Sequence, residues 1–429
     1  MLVDFKVYNY RSFKEITEFS MIADGKEKHP AVFEEGKFNL LKSAAIYGPN
    51  AGGKSNFIRA WGIYRFFILS SNLFSEDLFP VVEKFKLNHK SLEESTIFES
   101  RFINGNFIYR YGFEVDGKKI KSEWLFRANL ENKRLKEAKI FERIDQKIER
   151  GNFSEAKGVE EKTSENTLFL SSLAQWNSKL ARQIVSFFKK INVIMWEFPY
   201  FSSPAQTLNL FEKGKITKEE ILSFLKKADF DIVDFEYTKN EIDISKLPDL
   251  VKNAMVDANI REPDKLFNVK LYTYHNVYDK NGNVIDVEKF NFEEEESAGT
   301  KKLFNIIGEI IYALKEGKIL FIDELDTQLH PTLLKAVVEF FNSEKNKNNA
   351  QLVFTTHNTS ILTPKIFRKD QIWFVDKNKN GSSELYSLLE IKSVRKEANF
   401  EKEYLKGRYG AVPFVKYFLE GFDRYGKEK

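Results

Sequence analysis

FNLLKSAAIY (residues 38–47) followed by GPNAGGKS (Gly48–Ser55) is the stretch on which the fold turns. The first ten residues read as a buried strand. Beyond the loop, Phe57, Ile58, Trp61, Tyr64 and Ile68 recur at helical spacing. The eight residues between match G-x-x-x-x-G-K-[ST]. A phosphate needs backbone N–H groups directed at it; glycine lets the chain come close, and the helix that starts here adds the positive end of its dipole. Gly48, Pro49, Asn50, Ala51, Gly52, Gly53, Lys54 and Ser55, with Asn56 next along the helix, are the expected nucleotide-binding residues. Lys54 would reach the β- and γ-phosphates of ATP, and Ser55 would ligate Mg²⁺. A chance match is expected in roughly one chain in a hundred of this length, and the flanking strand and helix make it rarer.

Three other segments carry chemistry once a P-loop is granted. In KILFIDE (318–324) four apolar residues bury a strand and deliver two carboxylates at its C-terminal end, where α/β sheets bind ligands. Asp323 would hold Mg²⁺, and Glu324 would orient or deprotonate the attacking water. Without the P-loop, a capping pair before the next helix would be the better reading. ESAGTKK (296–302) opens a helix, and Ser297 at its start offers another anion site, or a plain N-cap. His357 follows the apolar strand of VFTTHN (353–358), from which its imidazole could hydrogen-bond a γ-phosphate.

The rest of the chain sets the frame. At 429 residues it predicts two to four domains, or one domain with a large insertion. There is no cysteine, which excludes disulfides, cysteine-ligated zinc and iron–sulfur centres, and cysteine catalysis. The five histidines are scattered, so a histidine-built metal site is not expected. Net charge is only +4, too weak to argue for nucleic acid by itself. The N-terminus is no secretory signal, and the apolar stretch 61–74 contains Arg65 and is too short to span a bilayer, so a cytoplasmic protein without a membrane is the expectation. The 41 phenylalanines belong in cores and interfaces.

Residues 1–22 read as edge strands, and 96–147 as an antiparallel meander with turns at Asn104-Gly105 and Asp116-Gly117. Helical patterns run over about 167–193 and 217–228. Strands return at Leu266, with a hairpin at Asp279–Asn283. From Thr300 onward helices and strands alternate, which predicts a parallel sheet. The expected division is 1–149 (P-loop and β lobe), 150–262 (a mainly helical insertion) and 263–429 (the remaining motifs), in an α/β fold.

Order and spacing join these motifs. Ser297 precedes Asp323 by 26 residues and His357 follows it by 34. In this the chain resembles ABC-class ATPases, in which Walker A (48–55), signature (297–300), Walker B (319–324), D-loop (Asp326) and switch histidine (His357) occur in this order. The 241 residues between Ser55 and Ser297 look like the insertion of the SMC/RecF/OLD-like branch. Asn9-Tyr10-Arg11-Ser12-Phe13, ESAGTKKLF (296–304), DELDTQLHP (323–331), TTHNTSIL (355–362), DQIWFVDKN (370–378) and YLKGRYGAVPF (404–414) narrow it to a resemblance to AAA-type ATPases of the RloA/AbiL/OLD-like group.

The resemblance implies a P-loop ABC-type ATPase head: a mixed sheet plus an antiparallel β lobe, with a mainly helical insertion. It implies ATP and Mg²⁺ as ligands and a homodimer, or higher homo-oligomer, that sandwiches two ATP molecules. One head presents Lys54, Ser55, Asp323, Glu324 and His357; the other offers Ser297 and Gly299 to the γ-phosphate in trans. Asp326 should lie at the dimer seam, and Arg11 resembles a basic residue near the nucleotide. The signature reads S-A-G-T where transporters have S-G-G-Q, which suits this branch. The Q-loop glutamine of this class has no assignable position. His330 reads as a structural or seam residue, and Arg408 as a partner contact or a solvated turn. Members of the group are mostly bacterial and linked to anti-phage defence, often with a separately encoded toxin or nuclease. No R-x₄₋₆-H or H-N-H pattern is present, so an effector is expected on a partner chain. The alternative is a RecF-like ATPase of DNA repair or end binding, which leaves nucleic acid a possible partner.

Overall fold

The computed structural model describes residues 1–25, 28–74, 79–196, 203–228, 230–242, 266–392, 394–395 and 398–412. Its centre is a six-stranded sheet in the order β11 (Ile191–Ile194), β15 (Ile319–Ile322), β16 (Gln351–Thr355), β5 (Ser43–Tyr47), β17 (Ile372–Lys377), β18 (Ser383–Ser387). All neighbours are parallel except the closing β17–β18 pair. The register sets Ile322 beside Phe354 and Thr355 beside Ile46. The C-terminal ends of β15, β16 and β5 therefore open on one edge, where Asp323, Thr356 and Gly48 follow.

A seven-stranded antiparallel sheet lies over it. Its order is β10 (Lys147–Glu149), β9 (Ala138–Ile144), β8 (Lys119–Asn129), β7 (Phe107–Asp116), β6 (Thr96–Asn104), β1 (Leu2–Tyr8), β2 (Thr17–Ser20). The meander and its two Asn-Gly and Asp-Gly turns are where the sequence puts them. β1 is an interior strand, not an edge, because Leu2, Val3, Phe5 and Val7 are all buried between its neighbours. Two smaller sheets are β3 (Val32–Glu35) with β4 (Phe38–Leu41), and β12 (Ile232–Ile242), β13 (Leu266–Tyr278) and β14 (Val284–Asn291). FNLLKSAAIY is thus two strands. It breaks at Lys42, whose ammonium donates to the Ser343 carbonyl (3.0 Å).

Helix α1 (Lys54–Ser70) fills the space between the two large sheets. Trp61 lies between Phe5 of β1 (centroids 4.3 Å apart) and Phe321 of β15 (4.5 Å, stacked). Tyr64 packs on Phe98 and Phe113, and its hydroxyl donates to the Tyr111 carbonyl (2.9 Å). Much of the phenylalanine load is spent here. The central sheet alternates as a two-faced sheet must. Ala44, Ile46, Ile319 and Phe321 face this first core; Ala45, Tyr47, Leu320 and Ile322 face a second, shared with α8 (Ala298–Glu316) and α9 (Pro331–Asn342).

The other α-helices among the described residues are α2 (His89–Glu93), α3 (Phe169–Gln175), α4 (Lys179–Lys189), α5 (Ala205–Glu212), α6 (Lys218–Lys227), α7 (Phe292–Glu295) and α10 (Phe400–Leu405). The long helix expected over 167–193 is broken: Asn177 turns left-handed (φ +69°), and Ser178 caps α4 by accepting the Ala181 N–H. The helix expected after His357 is a single 3₁₀ turn, Thr359–Ile361.

The described residues of 150–262 are mainly helical, as expected, but they are woven into the head itself. α3 and α4 contribute Phe169, Leu170, Phe187 and Phe188 to the first core, and β11 forms the sheet edge directly beside β15. β11 holds only four residues, INVI, and follows α4 at once, so its periodicity is too short to show. Part of the stretch, 243–262, lies outside the described residues.

Candidate functional site

The P-loop hangs from the end of β5 and runs into α1. Gly53 stands at the helix N-cap and offers no side chain, so the first-turn N–H groups keep no side-chain acceptor and can meet an anion. Two glycines are required for packing reasons the sequence does not show. A Cβ on Gly48 would lie 2.2 Å from the Val375 carbonyl oxygen, and one on Gly53 2.4 Å from the Ser383 Oγ. Ser383 donates its hydroxyl to the Gly52 carbonyl (2.6 Å). The β17–β18 hairpin, more than 300 residues downstream, thus braces the loop from outside. Pro49, Asn50 and Ala51 form its outward part, Asn50 and Ala51 being exposed.

Lys54 is buried, its ammonium folded onto the Gly48 and Pro49 carbonyls (2.9 and 3.0 Å). Burial pulls its pKa down to about 8, against the charges of Asp323, Glu324 and Asp326, which hold it up. Ser55 is partly exposed at the same turn. Asn56 donates to the Ser12 Oγ (2.8 Å) and accepts from Arg11 (3.4 Å). Arg11 takes a left-handed backbone (φ +50°), and its guanidinium pairs with Glu83. It meets the P-loop helix through Asn56, at the rim of the loop.

Asp323 is buried at the tip of β15. Thr355, at the end of β16, donates its hydroxyl to Asp323 Oδ1 (2.6 Å) and accepts the Glu324 N–H (2.7 Å). Glu324 is left-handed (φ +48°), and its Oε2 accepts from the Thr327 hydroxyl (3.1 Å). Asp326 Oδ2 accepts the His357 N–H (3.0 Å). The His357 imidazole is exposed at the loop, its pKa lowered first by desolvation and then by the Lys54 charge, while Asp326, Glu324 and Asp323 pull the other way. Lys54, His357 and the three carboxylates therefore share one electrostatic neighbourhood.

No group of three or more histidine, cysteine, aspartate or glutamate side chains among the described residues could cage a metal. Asp323 with the Ser55 hydroxyl is nevertheless a hard-oxygen pair of the kind that shares Mg²⁺ with substrate phosphates and water. One Asp323 oxygen is engaged by Thr355, which leaves the other for a cation.

Ser297 and Gly299 lie at the start of α8. Ser297 caps α8, accepting the Thr300 N–H (3.1 Å), and is itself exposed. A Cβ on Gly299 would sit 2.9 Å from the Gln328 carbonyl. Both line a cavity of about 900 Å³ with Gln328, His330, Thr332 and Phe230, and no P-loop residue lines it. Glu296 is gripped by Thr273 and by His275 Nε2 (2.8 Å), whereas Glu293–Glu295 are exposed. His330 caps α9 through its Nδ1 (3.3 Å to the Thr332 N–H), a structural role. Arg408 pairs with Glu403. The strand beside Asp323, β11, leads into Met195 and Trp196 with no glutamine there, and Gln206 further on gives its amide to Glu309.

A family profile described as "AAA domain, putative AbiEii toxin, Type IV TA system" matches residues 43–363. The match runs from β5 to just past His357 and takes in the P-loop, signature, Asp323-Glu324 and switch segments. The chain belongs to this family. As an AAA-domain protein it is a P-loop ATPase of mixed α/β fold. No curated protein matches it. Three solved structures are similar to it. An SMC head bound to the C-terminal winged-helix domain of ScpA is 14% identical, with a TM-score of 0.40, over 90% of this chain and 97% of that one. The SMC head of Thermotoga maritima is 11% identical (0.38; 90% and 98%). The SMC head with extended coiled coil from Pyrococcus furiosus, bound to the C-terminal domain of ScpA, is also 11% identical (0.35; 95% and 98%). No described helix is long and apolar enough to cross a membrane.

Proposed function

We propose that this protein is a Mg²⁺-dependent ATP-hydrolysing switch that works as a homodimer, regulating a separately encoded effector in bacterial anti-phage defence. The observation that carries the ATPase reading is the Thr355 hydroxyl shared between Asp323 and the Glu324 N–H, at the same sheet edge as the P-loop. It holds one carboxylate for a cation and sets the backbone of the next, whose side chain rests on Thr327. In this reading Lys54 leaves the Gly48 and Pro49 carbonyls for the β- and γ-phosphates. His357 reaches the γ-phosphate from the β16 side. Glu324 swings from Thr327 to take a proton from the attacking water. Bound Mg²⁺ would add charge neutralisation at the phosphates, held by Asp323 and Ser55.

Dimerisation is supported by the cavity that Ser297 and Gly299 line, to which no P-loop residue contributes. A capped helix start is suited to charge on a transferring phosphoryl group, and in this reading it serves the nucleotide of the partner copy. The defence role rests on the family's toxin–antitoxin description together with the resemblance to the RloA/AbiL/OLD-like group.

The test is Glu324→Gln. This variant should bind ATP normally, hydrolyse it at least about 100-fold more slowly, and accumulate as an ATP-bound dimer by light scattering. Wild-type turnover by the variant would remove Glu324 as the base.

A further inference from the structure

The function above uses Lys54 and the carboxylates; it leaves unexplained a second buried lysine in the same neighbourhood. Lys302 lies in the second turn of α8, the helix that Ser297 caps, and is only 5% exposed. Its ammonium donates to the carbonyl oxygen of Glu324 (2.8 Å) and lies over the Trp196 ring, 4.1 Å from the centroid. No carboxylate among the described residues forms an ion pair with it, although Asp326, Glu324 and Asp323 are its electrostatic neighbours. Placing a cation out of water with a single carbonyl and a ring face is costly. An apolar side chain would pack there without that cost. Desolvation holds the Lys302 pKa down at about 7 despite the carboxylates, so the charged form destabilises the fold.

The carbonyl it grips belongs to a residue whose backbone is already unusual. Glu324 is left-handed without being glycine, a conformation that persists only when its surroundings fix it. Thr355 fixes the N–H side (2.7 Å) and Lys302 the carbonyl side (2.8 Å). The same carbonyl also accepts the Thr327 N–H (3.2 Å), which closes the turn that parks the Glu324 carboxylate.

We infer that Lys302 is a positioning residue for hydrolysis, fixing the Glu324 turn from the helix whose N-terminus carries Ser297. This rests on the ATPase reading and adds to it a mechanical link. A shift of α8, when Ser297 meets a nucleotide on the partner copy, moves Lys302 and with it the base of this chain's own site. The two sites of a dimer are then coupled through α8 and not only through the shared ATP molecules.

The test uses the full chain with Lys302→Met and Lys302→Arg. Steady-state ATPase, affinity for a non-hydrolysable ATP analogue, melting temperature, and amide exchange of the peptide spanning 320–330 are measured together. The methionine variant should lose about 10- to 100-fold in kcat while nucleotide affinity stays within about 3-fold. Its melting temperature should be no more than about 2 °C below wild type, or above it, because a buried charge has gone. Exchange at the Thr327 amide should speed up, and arginine should restore part of both turnover and protection. Unchanged kcat with unchanged exchange overturns the inference. So does a collapse of melting temperature that takes nucleotide affinity with it, since that is what a purely structural lysine predicts. If wild type hydrolyses no ATP, the ATPase reading falls, and unaltered Thr327 exchange in the methionine variant would still overturn the clamp.

Discussion

One hydroxyl sets the geometry at the carboxylate pair. Thr355 gives its proton to Asp323 and takes the N–H of Glu324. Thr355→Val keeps the shape but removes both bonds, leaving a buried carboxylate oxygen and a backbone N–H without partners. That should cost about 1–3 kcal/mol of stability in urea denaturation, and about tenfold in turnover, while Thr355→Ser keeps most of both. A valine variant as active and stable as wild type would show that the carboxylates hold themselves. At this scale the sequence is legible where chemistry demands a local pattern. Gly48–Ser55 announces itself, and so does Asp323-Glu324 behind four apolar residues. Thr355 stands in plain view within TTHN, yet nothing local marks it. Its role exists only because β16 lies beside β15 in a register that brings its hydroxyl to Asp323. Ser383 and Lys302 are hidden for the same reason: their partners, 331 and 22 residues away, are set by packing and not by any local pattern.

At the scale of elements, α1 carries the P-loop's chemistry at one end and the joint between two sheets along its length. Trp61 touches β1 through Phe5 and β15 through Phe321, and is fully buried. Trp61→Ala should destabilise by about 3–5 kcal/mol, because the two sheets cannot close on the cavity. A lower urea midpoint with an unchanged slope would report it; a loss under about 1 kcal/mol would mean the joint repacks freely. The helical period of α1, the meander from β6 to β10 and the alternation of α8, β15, α9 and β16 were all readable, because each repeats long enough to show its period. The misreadings fell where elements are short or adjoin without a linker. FNLLKSAAIY hid a change of sheet at Lys42, 167–193 hid a left-handed break at Asn177, and INVI hid a strand behind a helix. β11 matters most among these, since its Ile194 carbonyl accepts the Asp323 N–H (3.0 Å) and so helps set the carboxylate in place.

Across the whole molecule, motif order foretold that distant segments meet at one sheet edge. It did not foretell that the stretch after residue 150 would build part of both cores. That threading changes where a partner's signal could enter. α3 and α4 are buried in the first core, whereas β12–β14 stand outside it, and β13 holds Glu296 through Thr273 and His275 next to Ser297. The sharpest consequence concerns the composite site. If Ser297 acts only on the partner's nucleotide, Lys54→Ala and Ser297→Arg chains should each be inactive as homodimers and complement one another when mixed. In the heterodimer one site combines Lys54 of the arginine variant with Ser297 of the alanine variant, and the other site has neither. Equal mixing makes half the dimers hetero, each with one good site of two, so ATPase should return to about a quarter of the wild-type rate if sites are independent. Coupling through Lys302 would push the figure below that, because the intact site sits opposite an empty one. No recovery at all, with heterodimers shown to form by native mass spectrometry, would place Ser297 in the site of its own chain.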